Sequence, residues 1–186
     1  MTEQGQQYIE KLREKGIKLL YISLGNNPLY YAEGGDFVHT SIPTNDEGIK
    51  AHAKFCAWMT KEYNDVLTGV EIWNEPNTPA SNYFMVDGAA YTKLLREAYK
   101  EIKAVDPNMP VLAPGCEPGY SEWSDQTFPA KSYEVTDVFV AHTYNWDRNE
   151  FVPEDYVARF DNVRENDKKY DVLDKPRWFT EFGFTT

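Results

Sequence analysis

Gly69-Val70-Glu71-Ile72-Trp73-Asn74-Glu75-Pro76-Asn77 is the stretch on which the fold turns. Residues 69–74 form an apolar run with β-branched side chains, bounded by turn residues, and read as a strand. A helix pattern stands on each side of it. Upstream, Thr44-Asn45-Asp46-Glu47 has the form of a capping box, with Thr44 and Glu47 three apart. The helix it opens runs to about Tyr63 and puts Ile49, Ala53, Cys56 and Ala57 on one face. Downstream, Asp87-Gly88 opens a helix whose stripe is Tyr91, Leu94, Leu95, Ala98 and Ile102, and Asp106-Pro107 closes it.

The alternation continues to both ends. Residues 3–15 read as a helix stopped by Gly16, and 17–24 as a strand buried on both faces, ended by Gly25-Asn26-Asn27-Pro28. Residues 110–114 form a short strand, with a short helix near 127–133. Residues 137–141 are a fourth strand. Pro153 starts a helix carrying Tyr156, Phe160 and Val163, and 177–182 are a fifth strand. Strands separated by helices imply parallel crossovers, so the fold class is α/β. No linker or repeat divides the chain, and residues 1–186 read as one domain. An open doubly wound sheet and a piece of a (β/α)8 barrel both fit this order. No glycine-rich phosphate loop follows any strand, which weakens the nucleotide-binding form of the open sheet.

Composition narrows the partners. The chain has 186 residues, 41% hydrophobic and 15% aromatic, and a formal charge of −11 from 19 basic and 30 acidic residues. Such acidity repels phosphate backbones and anionic lipid, which argues against nucleic acid and membrane surfaces. No apolar stretch approaches the ~20 residues that cross a bilayer. The polar start, Met1-Thr2-Glu3-Gln4-Gly5-Gln6-Gln7, lacks a signal peptide's apolar core, although an extracellular or periplasmic parent trimmed of its leader would look the same. Cys56 and Cys116 fit neither a disulfide framework nor zinc-ligand spacing and read as isolated thiols. No metal and no cofactor is expected.

Polar and aromatic groups gather after the strands: Asn26, Asn27, Tyr30 and Tyr31; Asn74 and Glu75; Cys116 and Glu117; His142, Tyr144 and Trp146; and Glu181. In a barrel those carboxyl ends form the face where catalytic residues converge. Two glutamates there suit glycosidic cleavage, which needs one acid to protonate the leaving oxygen and one carboxylate to attack or to activate water. Tyr144 or His142 could keep Glu181 ionised, and the charge of Glu181 could help keep Glu75 protonated.

At these residues the chain resembles clan A glycoside hydrolases. Residues 71–77, Glu-Ile-Trp-Asn-Glu-Pro-Asn, resemble the clan's fourth-strand motif, and residues 178–183, Trp-Phe-Thr-Glu-Phe-Gly, its seventh-strand motif. His142-Thr143-Tyr144 resembles the sixth-strand end. The wording is most similar to family 39 and relatives near family 5. The resemblance implies Glu75 as acid/base, Glu181 as nucleophile, Asn74 on the sugar 2-hydroxyl and Tyr144 touching the nucleophile. His142, Trp146 and Tyr30 are further candidates for binding a carbohydrate substrate. A full barrel typically needs ~250 residues. The five parallel strands would then be strands three to seven of a partial (β/α)8 TIM barrel, and the chain an excised or truncated piece. Such a piece exposes strand edges, inviting self-association or a partner chain.

Each residue has a plainer reading too. Trp73 suits core packing, Glu71 and Glu117 are structural or solvated, and Tyr30, Tyr31 and Trp146 could simply cover apolar surface. Lacking strands one, two and eight, the chain could be a non-catalytic carbohydrate-binding or structural fragment.

Overall fold

The computed structural model describes residues 3–24, 42–77, 87–116, 120–145 and 153–184. Within them the expected alternation is present. The helices are α1 (Glu3–Glu14), α2 (Asp46–Tyr63), α3 (Gly88–Val105), α4 (Tyr120–Thr127) and α5 (Pro153–Lys169), with a 3-10 helix at Ser132–Val135. The strands are β1 (Leu19–Ile22), β2 (Leu67–Glu71), β3 (Val111–Leu112), β4 (Phe139–Asn145) and β5 (Arg177–Phe184).

Among the described residues every strand pairing is parallel and joins sequence neighbours: β1 with β2, β2 with β3, and β4 with β5. A parallel bridge between Leu112 and Val138 links the two groups. A doubly wound sheet would reverse its strand order; this one does not. The chain is a partial (β/α)8 barrel, an arc of consecutive strands with helices outside. Its inner face packs Leu112, Val138 and Val140 with the half-buried Leu20 and Trp178. Its outer face packs Val70, Ile72 and Val111 on Ala53, Cys56, Leu94, Leu95, Ala98 and Ile102 of α2 and α3. The α3 stripe foreseen from sequence is fully buried, and each of its large apolar side chains contributes about 1.5–3 kcal/mol.

Several expectations need correction. The N-cap of α2 is Asn45, not Thr44: its side chain accepts from the Gly48 N–H at 2.8 Å. Strand β1 is half-buried rather than buried on both faces, because β2 alone flanks it among the described residues. Pairing in β3 is confined to two residues, since Pro110 and Pro114 offer no N–H to a ladder. The helix placed near 127–133 lies earlier, at Tyr120–Thr127, and the 3-10 turn follows it. Its buried face carries Trp123, Ser124 and Thr127, two of them polar, so the hydrophobic pattern does not show its period. The α5 stripe is a core face only at Val163, with Tyr156 half-buried and Phe160 exposed against Phe179. No described helix is long and apolar enough to cross a membrane.

Candidate active site

Glu75 lies in a turn that the regular strand cannot continue into. Trp73 has φ 69° and Glu75 φ 40°, the left-handed region that costs a non-glycine residue about 1–3 kcal/mol. Hydrogen bonds hold the turn in place. The Trp73 N–H donates to Ser23 Oγ at 3.1 Å, and the Tyr91 hydroxyl donates to the Ile72 carbonyl at 2.8 Å. The Glu75 N–H donates to the Gly115 carbonyl at 3.0 Å. His52 completes the support from α2, 3.1 Å from Ser23 Oγ, and burial pushes its imidazole down to about 4. Trp73 is fully buried, as the packing reading had it. Asn74 sits half-buried in the same turn, beside Glu75.

His142 and Tyr144 lie within β4, not after it, because the strand runs on to Asn145. Spaced by two, they share the face of Val140, which looks into the barrel. Opposite them β5 carries an irregularity: Ala141 pairs with Phe179, but His142 pairs with Glu181, so Thr180 is an extra residue. Simple alternation would turn Thr180 and Glu181 to opposite faces. The bulge lets both reach β4. Thr180 Oγ1 lies 3.1 Å from His142 Nε2, and the Tyr144 hydroxyl donates to Glu181 Oε2 at 2.8 Å.

His142 ties the glutamates together. Its Nδ1 lies 3.0 Å from Glu75 Oε1 and 3.6 Å from Glu181 Oε2. One carboxylate oxygen from each glutamate and a ring nitrogen of His142 all lie within 4.8 Å of one another. Atoms so spaced could also grip a cation; here the His142–Glu75 and Tyr144–Glu181 hydrogen bonds join the three side chains. The Glu75 and Glu181 side chains keep 16% and 31% of their surface exposed, while that of His142 has none. A ligand could therefore reach both carboxylates but not the imidazole's far edge. Burial alone would lower the His142 pKa. The hydrogen bond to Glu75 and the charges of Glu181, Glu71 and Glu75 outweigh it, and the imidazole is held above its ordinary value.

A third carboxyl group stands behind these two. Glu71 is 0% exposed, so the solvated reading is excluded, and burial pushes it up to about 7. Sequence reasoning missed its place in the site, as it missed Gly115, Thr180 and His52. The signal for Glu71 was present: a charged residue inside the apolar run Val70-Glu71-Ile72-Trp73 must be compensated when the strand is buried. Tyr30, Tyr31, Glu117 and Trp146 lie outside the described residues.

Known proteins resemble this chain in sequence profile and in fold. The sequence matches the profile of Cellulase (glycosyl hydrolase family 5) over residues 3–186. Solved structures share the fold. A family 39 glycoside hydrolase from Bacteroides cellulosilyticus WH2 aligns over 99% of this chain and 39% of its own, at 23% identity and a TM-score of 0.66. A monomeric beta-xylosidase from Caulobacter crescentus CB15 aligns over 94% of this chain and 39% of its own, at 25% identity and 0.69. A GH26 beta-mannanase from Bacteroides ovatus aligns over 96% of this chain and 55% of its own, at 19% identity and 0.61. This chain thus spans between a third and three-fifths of the length of these structures. No curated protein matches it significantly. With the profile covering nearly every residue, the chain belongs to the cellulase family, glycosyl hydrolase family 5.

Proposed function

We propose that this chain carries the acid/base and the nucleophile of a retaining glycoside hydrolase acting on β-linked sugars. Glu181 attacks the anomeric carbon, forming a bond from its carboxylate oxygen as the glycosidic C–O bond breaks. Glu75 gives its proton to the departing oxygen. Water then attacks the anomeric carbon and yields a proton to Glu75, and the Glu181 carboxylate is released. The observation that carries this reading is the closeness of the two carboxylates, with oxygens within 4.8 Å through the His142 cluster. That closeness is compatible with the ~5–5.5 Å carboxyl separation of retaining enzymes and supports it over the ~6.5–9.5 Å of inverting ones. Tyr144 positions Glu181 by its hydrogen bond, and the sugar's 2-hydroxyl is assigned to Asn74, the residue before Glu75. The β-linked substrate class rests on the cellulase family and on the beta-xylosidase and beta-mannanase among the similar structures.

Turnover of aryl glycosides tests the two roles separately. Glu181→Ala should cut turnover by about four orders of magnitude or more for every leaving group. Glu75→Ala should cost about 10²–10⁴-fold with poor leaving groups and far less with activated phenols, which depart without a proton. Retained activity in Glu181→Ala refutes the assignment.

A further inference from the structure

His142 is pressed against a residue with no side chain. A Cβ added at Gly115 would lie 1.9 Å from His142 Nε2, closer than any real contact, so the ring occupies the space that a side chain there would fill. Gly115 also serves both neighbouring glutamates through its backbone. Its N–H donates to Glu71 Oε1 at 2.8 Å, and its carbonyl accepts the Glu75 N–H at 3.0 Å. The same Glu71 oxygen lies 3.9 Å from His142 Nε2. The other, Oε2, is buried without a hydrogen bond of ordinary length and angle, although the Thr180 hydroxyl helps to favour the charge of the carboxyl group. An unsatisfied buried oxygen costs about 1–3 kcal/mol, and an apolar residue at this position would avoid that cost. Core packing alone does not account for a carboxyl group here.

We propose that Glu71 and Gly115 together seat the imidazole of His142 against Glu75, which makes Glu71 a positioning residue that acts on the acid/base through His142. The inference rests on the assignment of Glu75 as acid/base. Glu71 orients the Gly115 peptide, whose bare Cα forms the floor under the ring and whose carbonyl fixes the Glu75 backbone. Its carboxylate also favours a proton on the His142–Glu75 pair. The other titratable groups facing this cluster are Glu181 and Tyr144 from β5 and β4, Cys116 beyond β3 and Tyr91 from α3. Burial holds the Cys116 thiol and the Tyr91 phenol well above their ordinary values, so both stay neutral. A proton held by the pair has one macroscopic titration, whichever atom carries it.

Glu71→Gln keeps the shape and an acceptor for the Gly115 N–H while removing the charge. Two readouts test it: the titration of the His142 ring followed by ¹⁵N NMR, and the alkaline limb of the kcat/KM profile on an aryl glycoside. Both midpoints should fall in Glu71→Gln by roughly one pH unit. An unmoved ring titration overturns the proposal, and so does an unmoved alkaline limb in an active enzyme. If the wild-type protein hydrolyses no glycoside, the catalytic assignment fails, and the NMR titration still decides whether Glu71 acts on His142. Gly115→Ala is the steric counterpart. It should displace the ring, change its ¹⁵N shifts and lower kcat about 100-fold. A folded Gly115→Ala protein with wild-type ring shifts would also overturn the proposal.

Discussion

At the amino ends of the strands three acids are each paired with a base. Asp167 pairs with Arg177 at the start of β5, Asp137 with Lys103 beside β3 at 2.7 Å, and Asp65 with Arg13 before β2 at 2.6 Å. At the carboxyl ends three glutamates, Glu71, Glu75 and Glu181, crowd around one histidine, and two residues of the supporting turn lie in the left-handed region. The first arrangement neutralises charge and hydrogen-bonds it. Arg177 also lies over the Phe139 ring, and Asp137 accepts the Val111 N–H. The second concentrates like charge and strain, both of which oppose folding. One set of strands thus has an end that holds it together and an end that bears the candidate active site.

That contrast can be broken from either side. The largest effect on stability should come from Asp167→Ala, which leaves Arg177 partly buried without its partner. Denaturant melts should show a loss of about 3–5 kcal/mol, while kcat of the folded protein stays within a few-fold of wild type. A comparable loss of kcat would mean that the two ends are not separable.

Next is a pH dependence from the carboxyl end. Folding raises the Glu71 carboxyl from 4.5 to about 7. Between those values the folded chain holds a proton that the unfolded chain has released, so stability falls as pH rises through the window and levels off above it. The fall attributable to Glu71 is on the order of 3 kcal/mol. His142, also raised on folding, acts in the same direction. Denaturant melts at pH 5 and pH 8 check this: the wild type should lose stability between them, and Glu71→Gln should lose distinctly less. Equal pH dependence in the two proteins would remove Glu71 from the account. The smallest effect sharpens the corrected helix start. Asn45→Ala should cost about 1 kcal/mol in the same melts, because Asn45 supplies the cap.

Much of this molecule was legible in its sequence. The α3 stripe follows from a period of 3.6, and the partial barrel from alternation together with the order of the motifs. The setting of Glu75 just past β2 could be read before any geometry was known, whereas Glu181, expected at the end of its strand, lies within β5, which runs on to Phe184. What could not be read arises where a local rule is broken. A period of two cannot foresee that Thr180 is an extra residue, yet that bulge brings Glu181 to the side of Tyr144. Nothing local to Trp73 or Glu75 signals a left-handed backbone, since the bonds that hold it come from Ser23, Tyr91 and Gly115, distant in sequence. Thr44 and Asn45 are both good caps, and the choice depends on where the chain enters α2. By sequence Glu71 reads as either structural or solvated, and its apolar neighbours favour the first, since a buried charge must be compensated.

Covalent trapping tests the central assignment most directly. The protein would be incubated with dinitrophenyl 2-deoxy-2-fluoro-β-glucoside and with the matching xyloside, then digested and mapped by mass spectrometry. The account predicts a single glycosyl adduct, on the peptide carrying Glu181, and none in Glu181→Ala. An adduct on Glu75, or hydrolysis of the parent aryl glycoside with inverted anomeric configuration, would contradict it.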